Sequence, residues 1–194
     1  MPKTDPAAAK RARQNAIKWV LTIFFVTIFV SGAISLISEE IMAASGLFVA
    51  FLILLAIIFI GILFDIIGVA VTSADEKPFH SMAARKVPGA QEAIRLLRNA
   101  ERVSSICCDV VGDICGVVSG SASATIAALV IANMEIGWPK VVTLILSALV
   151  AGATVGGKAI GKSIAIRSCT RIVHITGKLI HALKQPFTKK KSKG

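Results

Sequence analysis

Three acidic residues lie beside long uncharged stretches of this sequence. Asp65 follows an uncharged run of 24 residues, and Asp109 and Asp113 come shortly before another run of 21. If these runs cross a bilayer, each carboxylate costs at least ~2.5 kcal/mol on insertion scales and needs a partner, a proton or water. Asp109 and Asp113 are four residues apart and would share one face of a helix. These positions indicate proton or cation chemistry.

The residues around Asp113 are mostly small. They are Gly112, Gly116, Gly120, Ser119 and Ser123, and the next uncharged run adds Gly152 and Gly156. Small residues let helices approach closely, which would bring backbone carbonyls and serine hydroxyls near the carboxylates. All-oxygen surroundings suit a hard cation such as Mg²⁺. Alternatively, the glycines only pack helices together and the aspartates are protonated or paired.

Four charge-free runs provide the elements that would position these residues. They cover residues 19–38, 41–64, 114–134 and 141–157. A helix needs about 20 apolar residues to cross a bilayer core of roughly 30 Å, so each run is close to sufficient. Because 55% of the chain is hydrophobic, only 17% is charged and the mean hydropathy is +0.76, a water-soluble domain is excluded. The sequence predicts an all-α membrane protein with four transmembrane helices.

The basic residues predict how these helices are oriented. Of the 22 Lys and Arg residues, 21 lie in the N-terminal segment, in the 73–103 connection or from Lys158 onward, and only Lys140 lies outside these. The positive-inside rule then places both termini and the connection in the cytoplasm, in a multi-pass protein of the cell membrane. Asp65 and Asp113 would lie ~13 and ~15 Å along their helices from the cytoplasmic side, so they could face one another. Cleavage of the first run as a signal peptide is an alternative that would leave three spans.

Two segments are expected to lie along the membrane rather than across it. Cytoplasmic juxtamembrane helices are predicted within 78–103 and 158–184, and the second has isoleucines and leucines at helical spacing beside basic residues. Such a helix is typical of one lying on the inner leaflet, where its partners are membrane lipids with anionic headgroups. A solvated helix packing on its own protein is the alternative. Residues 185–194 are expected to form a basic disordered tail.

Several other functions are disfavoured by the sequence. The segment GGKAIGKS at 156–163 matches a nucleotide-binding loop, but it follows a membrane run instead of a short strand, so no nucleotide is expected. The basic segments contain few aromatic residues for stacking on bases, which disfavours nucleic acid. The four cysteines and three histidines lack zinc spacing, and no nucleophile pairs with a base, so we expect no enzyme.

Three short segments carry a family resemblance across residues 45–184. They are Phe64-Asp65-Ile66-Ile67-Gly68 with Ser73 and Asp75 after it, Gly112-Asp113, and Gly157-Lys158-Ala159-Ile160-Gly161-Lys162. Their order and spacing resemble the transmembrane domain of the cyclin M and CorB/CorC magnesium transporters, including the amphipathic helix that follows. The family's paired nucleotide-binding cystathionine-synthase-type domains have no counterpart in the sequence. The division predicted is a basic cytoplasmic segment 1–18, an extra transmembrane helix 19–38, a transporter-like domain 41–184 and the tail.

The resemblance implies a homodimer that transports Mg²⁺ and holds no other cofactor. Asp65 and Asp113 would be cation ligands, and Gly112, Ser119 and Gly157 would line the path. The family has Asn where this chain has Asp113, and where it has a Glu implied in magnesium binding this chain has Lys158. We therefore hypothesise that the Lys158 ammonium reaches Asp113 or Asp65 and replaces the cation. A non-transporting membrane scaffold or regulator is the alternative function.

Overall fold

The computed structural model describes residues 6–134 and 137–189, and this part of the chain is built from helices without a β-strand. The elements, in chain order, are α1 (Pro6–Ala44), α2 (Leu47–Ser73), α3 (Lys77–Ala84), α4 (Ala90–Arg98), α5 (Ala100–Ser104), a π-helix (Ser105–Val111), α6 (Gly112–Met134), α7 (Pro139–Arg167) and α8 (Cys169–Lys189). The prediction of an all-α fold is confirmed.

Four helical stretches are long and apolar enough to cross a membrane. They are Ile17–Met42, Leu47–Ser73, Ala100–Asn133 and Pro139–Arg167. The third is 34 residues long and exceeds the predicted run of 114–134, because α5, the π-helix and α6 follow one another without a break. The prediction of four helices of spanning length is confirmed.

Both ends of the described chain are more helical than the sequence predicted. Helix α1 begins at Pro6, inside the segment 1–18, with proline at the first helical position where its missing N–H is harmless. Helix α8 continues to Lys189, into the segment that was expected to be disordered. Residues 1–5 and 190–194 lie outside the described residues.

Helix α2 lies at the centre of the bundle. Its buried row is Leu54, Ile58, Gly61, Asp65 and Gly68, spaced by alternating steps of four and three residues. Helices α6 and α7 pack against α2, and α1 packs mainly against α6. One apolar core joins α1, α2 and α6, and a second joins the end of α2 to α3, α4, α7 and α8. Asp65 is therefore the one acidic residue in a row of α2 that otherwise consists of glycines and apolar side chains packed against neighbouring helices.

The close helix contacts are made by glycines outside the predicted glycine rows. A Cβ on Gly61 would lie 2.8 Å from the Cβ of Cys115, and a Cβ on Gly161 would lie 2.8 Å from Cγ1 of Ile66. By contrast, a Cβ on Gly116, Gly120, Gly152 or Gly156 would meet no described atom within 4 Å. These four glycines therefore pack against no helix of the described chain and border open space.

The segment after α2 folds back onto the end of the bundle. Gly89, with φ of 85°, turns the chain between α3 and α4, a backbone conformation that favours glycine. Its backbone lies against that of Gly177 in α8, where a Cβ would meet the Gly89 carbonyl at 2.5 Å. The two glycines therefore let the loop before α4 approach α8 backbone to backbone.

Candidate ion site

The carboxylate of Asp65 is buried between α2 and the start of α6. The residue is only 4% exposed, and its Oδ2 accepts no hydrogen bond from the part of the chain that the structure describes. Its Oδ1 lies 4.0 Å from the point where a Cβ on Gly112 would be. Buried polar atoms are almost always hydrogen-bonded, so an unpartnered carboxylate oxygen marks a site that a proton, water or cation can complete.

The π-helix shapes the α6 side of this site. It places Cys107 and Cys108 against α2, where the Cys108 thiol donates to the backbone carbonyl of Asp65 with an S···O distance of 3.7 Å. The Gly112 N–H donates to the Cys107 carbonyl, five residues earlier. Gly68 leaves room for this approach, since its Cβ would collide with both cysteines. Single π-helical turns often occur at functional sites.

Lys158 reaches this point from α7. Its ammonium donates to the Gly112 carbonyl at 3.3 Å and lies 4.0 Å from Oδ1 of Asp113. Of the two carboxylates in the sequence hypothesis, the structure therefore pairs Asp113 with Lys158. The lysine side chain is 22% exposed and that of Asp113 is 71% exposed, so the pair is weakly shielded from its surroundings.

A cavity of about 550 Å³ extends from this pair along the groove between α6 and α7. Asp113, Lys158 and Gly112 line one end. The remaining walls are apolar or carry hydroxyl groups, from Gly116, Val117, Ser119, Gly120, Ser123, Ser147, Val150, Ala151, Thr154 and Val155. The hydroxyls of Ser119 and Ser123 donate to carbonyls of their own helix, at 2.9 and 2.7 Å. Their oxygen lone pairs can still face a cation or a water molecule in the cavity.

The structure brings together some of the predicted site residues and separates others. Gly112, Asp113, Ser119 and Lys158 all line the groove, and Asp65 lies behind Gly112 on its α2 side. Asp65 and Asp113, which the sequence suggested could face one another, have different surroundings: Asp65 is 4% exposed and the Asp113 side chain is 71% exposed. Successive helical residues point about 100° apart, and Gly112 is the one beside Asp65. Asp109, on the π-helix, is exposed.

Gly157 is placed differently from its expected position. It is not among the residues lining the groove, and a Cβ on it would collide with the Ile62 side chain of α2. Its role in the structure is close contact between α7 and α2. Sequence reasoning also missed the row Gly61, Asp65 and Gly68, whose spacing of four and three residues could have identified the α2 face that turns inward. For the π-helix the sequence carries no comparable signal.

The acidic residues do not form a complete metal cage. Among the described residues, no group of three His, Cys, Asp or Glu side chains is placed to hold a metal ion. The oxygen atoms closest to the Lys158 ammonium are the Gly112 carbonyl and Oδ1 of Asp113, and Oδ1 of Asp65 lies near the same glycine. A Mg²⁺ ion bound by these atoms would keep several waters, as is usual for this ion.

Comparison with known proteins identifies no relative. No protein-family model, curated protein or solved structure matches this chain. The similarity to the cyclin M and CorB/CorC transporters therefore rests on the three short segments alone.

Proposed function

We propose that this chain is a multi-pass protein of the cell membrane, with both termini and the α3–α4 connection in the cytoplasm. Large apolar side chains on the outside of the helices support this, among them Phe29, Phe48, Leu144 and Val155, which are each more than 65% exposed. The Arg102 guanidinium lies over the Trp19 ring at 5.9 Å. This contact brings the basic end of α1 to the basic connection, as expected if both lie on the cytoplasmic side.

We propose further that the site between α2, α6 and α7 handles a divalent cation of the Mg²⁺ type. The observation that carries this is the buried Asp65 carboxylate. Its Oδ2 has no partner in the described chain, and its Oδ1 lies 4.0 Å from the Cβ position of Gly112, the residue whose carbonyl accepts from the Lys158 ammonium. Lys158 then occupies the place of the cation. Lysine is suited to this because its ammonium is a compact point charge on a flexible stem.

This arrangement gives the site two states. With Lys158 inward, its ammonium neutralises Asp113 and the Gly112 carbonyl is occupied. With Lys158 withdrawn toward the open groove, the same oxygens and Asp65 are available to a hydrated cation. Transport would require the cation to compete with the tethered ammonium, and Ser119 and the other hydroxyls would line its path. The homodimer implied by the family resemblance is part of this proposal.

Magnesium flux into proteoliposomes tests the proposal. The native protein is compared with Asp113→Ala and Lys158→Glu, and with Lys162→Glu as the matched control. Lys162 is an exposed lysine one turn further along α7 and does not line the groove. Flux in the native protein that Asp113→Ala abolishes supports a transporter with an altered site. Flux that appears only with Lys158→Glu supports a transporter fold silenced by its internal ammonium.

A non-transporting membrane scaffold or regulator is the second candidate. It is favoured because the described residues nowhere bring three Asp, Glu, His or Cys side chains together to bind a metal ion. Lys158 would then join α6 to α7 permanently. Folded protein that is inert in the native form and in every variant would overturn the transport proposal and favour this alternative.

A further inference from the structure

Among its described residues, helix α8 packs against the rest of the protein mainly through one face. Val173 and Gly177 are buried on that face. Gly177 lies against the Gly89 backbone, and a Cβ on Gly177 would be only 3.0 Å from the Ala93 nitrogen. The helix is therefore held rigidly against α4 and the end of α2 along this face.

The opposite face of α8 carries an uncovered aliphatic row. Ile175, Leu179 and Leu183 follow one another at intervals of four residues and are 58%, 63% and 64% exposed. Residues four apart lie one above the other on a helix, so the three side chains form a continuous stripe. Contiguous exposed apolar surface of this kind marks a contact with a partner or a membrane.

Basic residues flank this row. At about 100° per residue, Arg171 and Lys178 lie together on one side of it, and both are exposed. Neither forms an ion pair with a residue in the described part of the chain. Residues 169–189 contain no Asp or Glu, so nothing within α8 offsets this positive charge.

The position of α8 determines which surface this face can meet. Only Ser168 separates α8 from α7, a helix of spanning length, so α8 starts where α7 would leave the membrane. An aliphatic row flanked by cationic side chains is the pattern of a helix lying in the boundary between headgroups and acyl chains. A second copy of this chain would bring the same uncompensated cations toward each other, whereas an anionic bilayer would attract them.

We propose that α8 is an interfacial helix that binds the anionic inner leaflet. Ile175, Leu179 and Leu183 enter the acyl boundary, and Arg171 and Lys178 contact lipid phosphates. In this proposal each of the two alternatives from the sequence describes one face of α8: one face binds the leaflet and the other packs on its own protein. The inference goes beyond the ion site and needs only α7 to cross the membrane.

Hydrogen exchange of the full chain in nanodiscs tests this assignment. Backbone exchange across 175–183 is compared in discs of zwitterionic phosphatidylcholine and in discs containing about one third phosphatidylglycerol. Each basic residue near an anionic surface strengthens binding roughly five-fold, so we expect exchange at least about five-fold slower in the anionic discs. The difference should shrink at high salt because the charges are screened.

Two variants make the result specific. Arg171→Gln with Lys178→Gln should remove the difference between the lipids, whereas Arg85→Gln with Lys86→Gln should retain it. Arg85 and Lys86 are also exposed and basic but lie in the turn after α3. Equal exchange rates in both lipids would overturn the proposal. So would protection that depends on the number of protein copies per disc, because the aliphatic row would then contact a second copy of the chain. Exchange of α2 in the same samples reports whether each variant is folded, and none of these readings depends on magnesium flux.

Discussion

The Lys158 ammonium and the Asp65 carboxylate both border the space where a side chain on Gly112 would begin. A Cβ on Gly112 would be 3.3 Å from Nζ of Lys158 and 4.0 Å from Oδ1 of Asp65. The ammonium is held by the Gly112 carbonyl and by Asp113, while Asp65 keeps an unpartnered oxygen within the described chain. A cation that displaced the lysine side chain would therefore have the Asp65 carboxylate beside the same glycine.

Removing the lysine should make the protein responsive to magnesium. We expect Mg²⁺ to raise the melting temperature of Lys158→Ala by a few degrees and to leave the native protein unchanged, because only the variant offers a vacant anionic site. A ligand at 100 times its dissociation constant stabilises a fold by about 2.7 kcal/mol. Thermal unfolding in detergent, with Ca²⁺ and Na⁺ alongside, measures the response.

The matched control for this prediction is Lys162→Ala, which removes an exposed lysine from the same helix. It should behave as the native protein does. An equal magnesium response in both lysine variants would mean that general charge, and not the space left at Gly112, produces the effect.

The buried carboxylate should be needed for that response. In the Lys158→Ala background, Asp65→Asn should greatly reduce the magnesium-dependent rise in melting temperature, because an uncharged amide oxygen attracts a divalent cation less strongly than a carboxylate does. Asp109→Asn is the control, since Asp109 is exposed on the π-helix. A response that survives Asp65→Asn would exclude Asp65 from the cation site.

Much of the fold could be predicted from the sequence, because the length of an apolar run and the positions of the charges beside it can be read directly from neighbouring residues. The runs at 19–38, 114–134 and 141–157 each lie within one long helix, and the run at 41–64 begins in the last turn of α1 and continues through most of α2. Which face of a uniformly apolar helix turns inward is not a local property. Helix α2 is apolar on nearly all sides, and the spacing of Gly61, Asp65 and Gly68 is the one sequence signal for its inward row. That the two glycines meet Cys115 and Cys108 is evident only from the structure.

The candidate site was predictable in its residues but not in its geometry. The sequence identified Asp65, Asp113 and Lys158, and the structure pairs the last two. It did not indicate the π-helix, which depends on backbone hydrogen bonds rather than on residue type. Equal depth along two helices also did not show that Asp65 is buried while Asp113 is exposed. The open space beside Gly116 was missed for a similar reason, because the Gly-x-x-x-Gly pattern does not specify a partner helix.

The glycine contacts yield a pair of opposite stability effects. Gly61→Ala should lower the free energy of unfolding by about 1–3 kcal/mol, because the new methyl group would overlap the Cys115 Cβ at 2.8 Å and force α2 and α6 apart. Gly156→Ala should raise it by up to about 1 kcal/mol, since alanine favours a helix and this glycine has open space beside it. Equilibrium unfolding in mixed micelles measures both. Shifts of the same sign would contradict the packing described for α2 and α6.

The contact between α4 and α8 should depend on pH through Glu92. The Nδ1 atom of His181 lies 3.4 Å from Oε1 of Glu92. Burial raises the pKa of Glu92, but its backbone hydrogen bond and the neighbouring His181 and Lys184 outweigh this, so the pKa lies below its ordinary value of 4.5. The carboxylate is thus more acidic in the folded protein than in the unfolded chain.

The sign of the pH dependence follows from that depressed pKa. The contribution of Glu92 to stability is fully present above pH 4.5 and is lost as the pH falls through the lower folded-state value, because the unfolded chain takes up the proton first. Glu92→Gln should therefore lose less melting temperature than the native protein when the pH is lowered from about 5.5 to about 3.5. Glu101→Gln, an exposed position in α5, should follow the native curve. Parallel curves for Glu92→Gln and the native protein would show that this carboxylate does not hold α8 against α4.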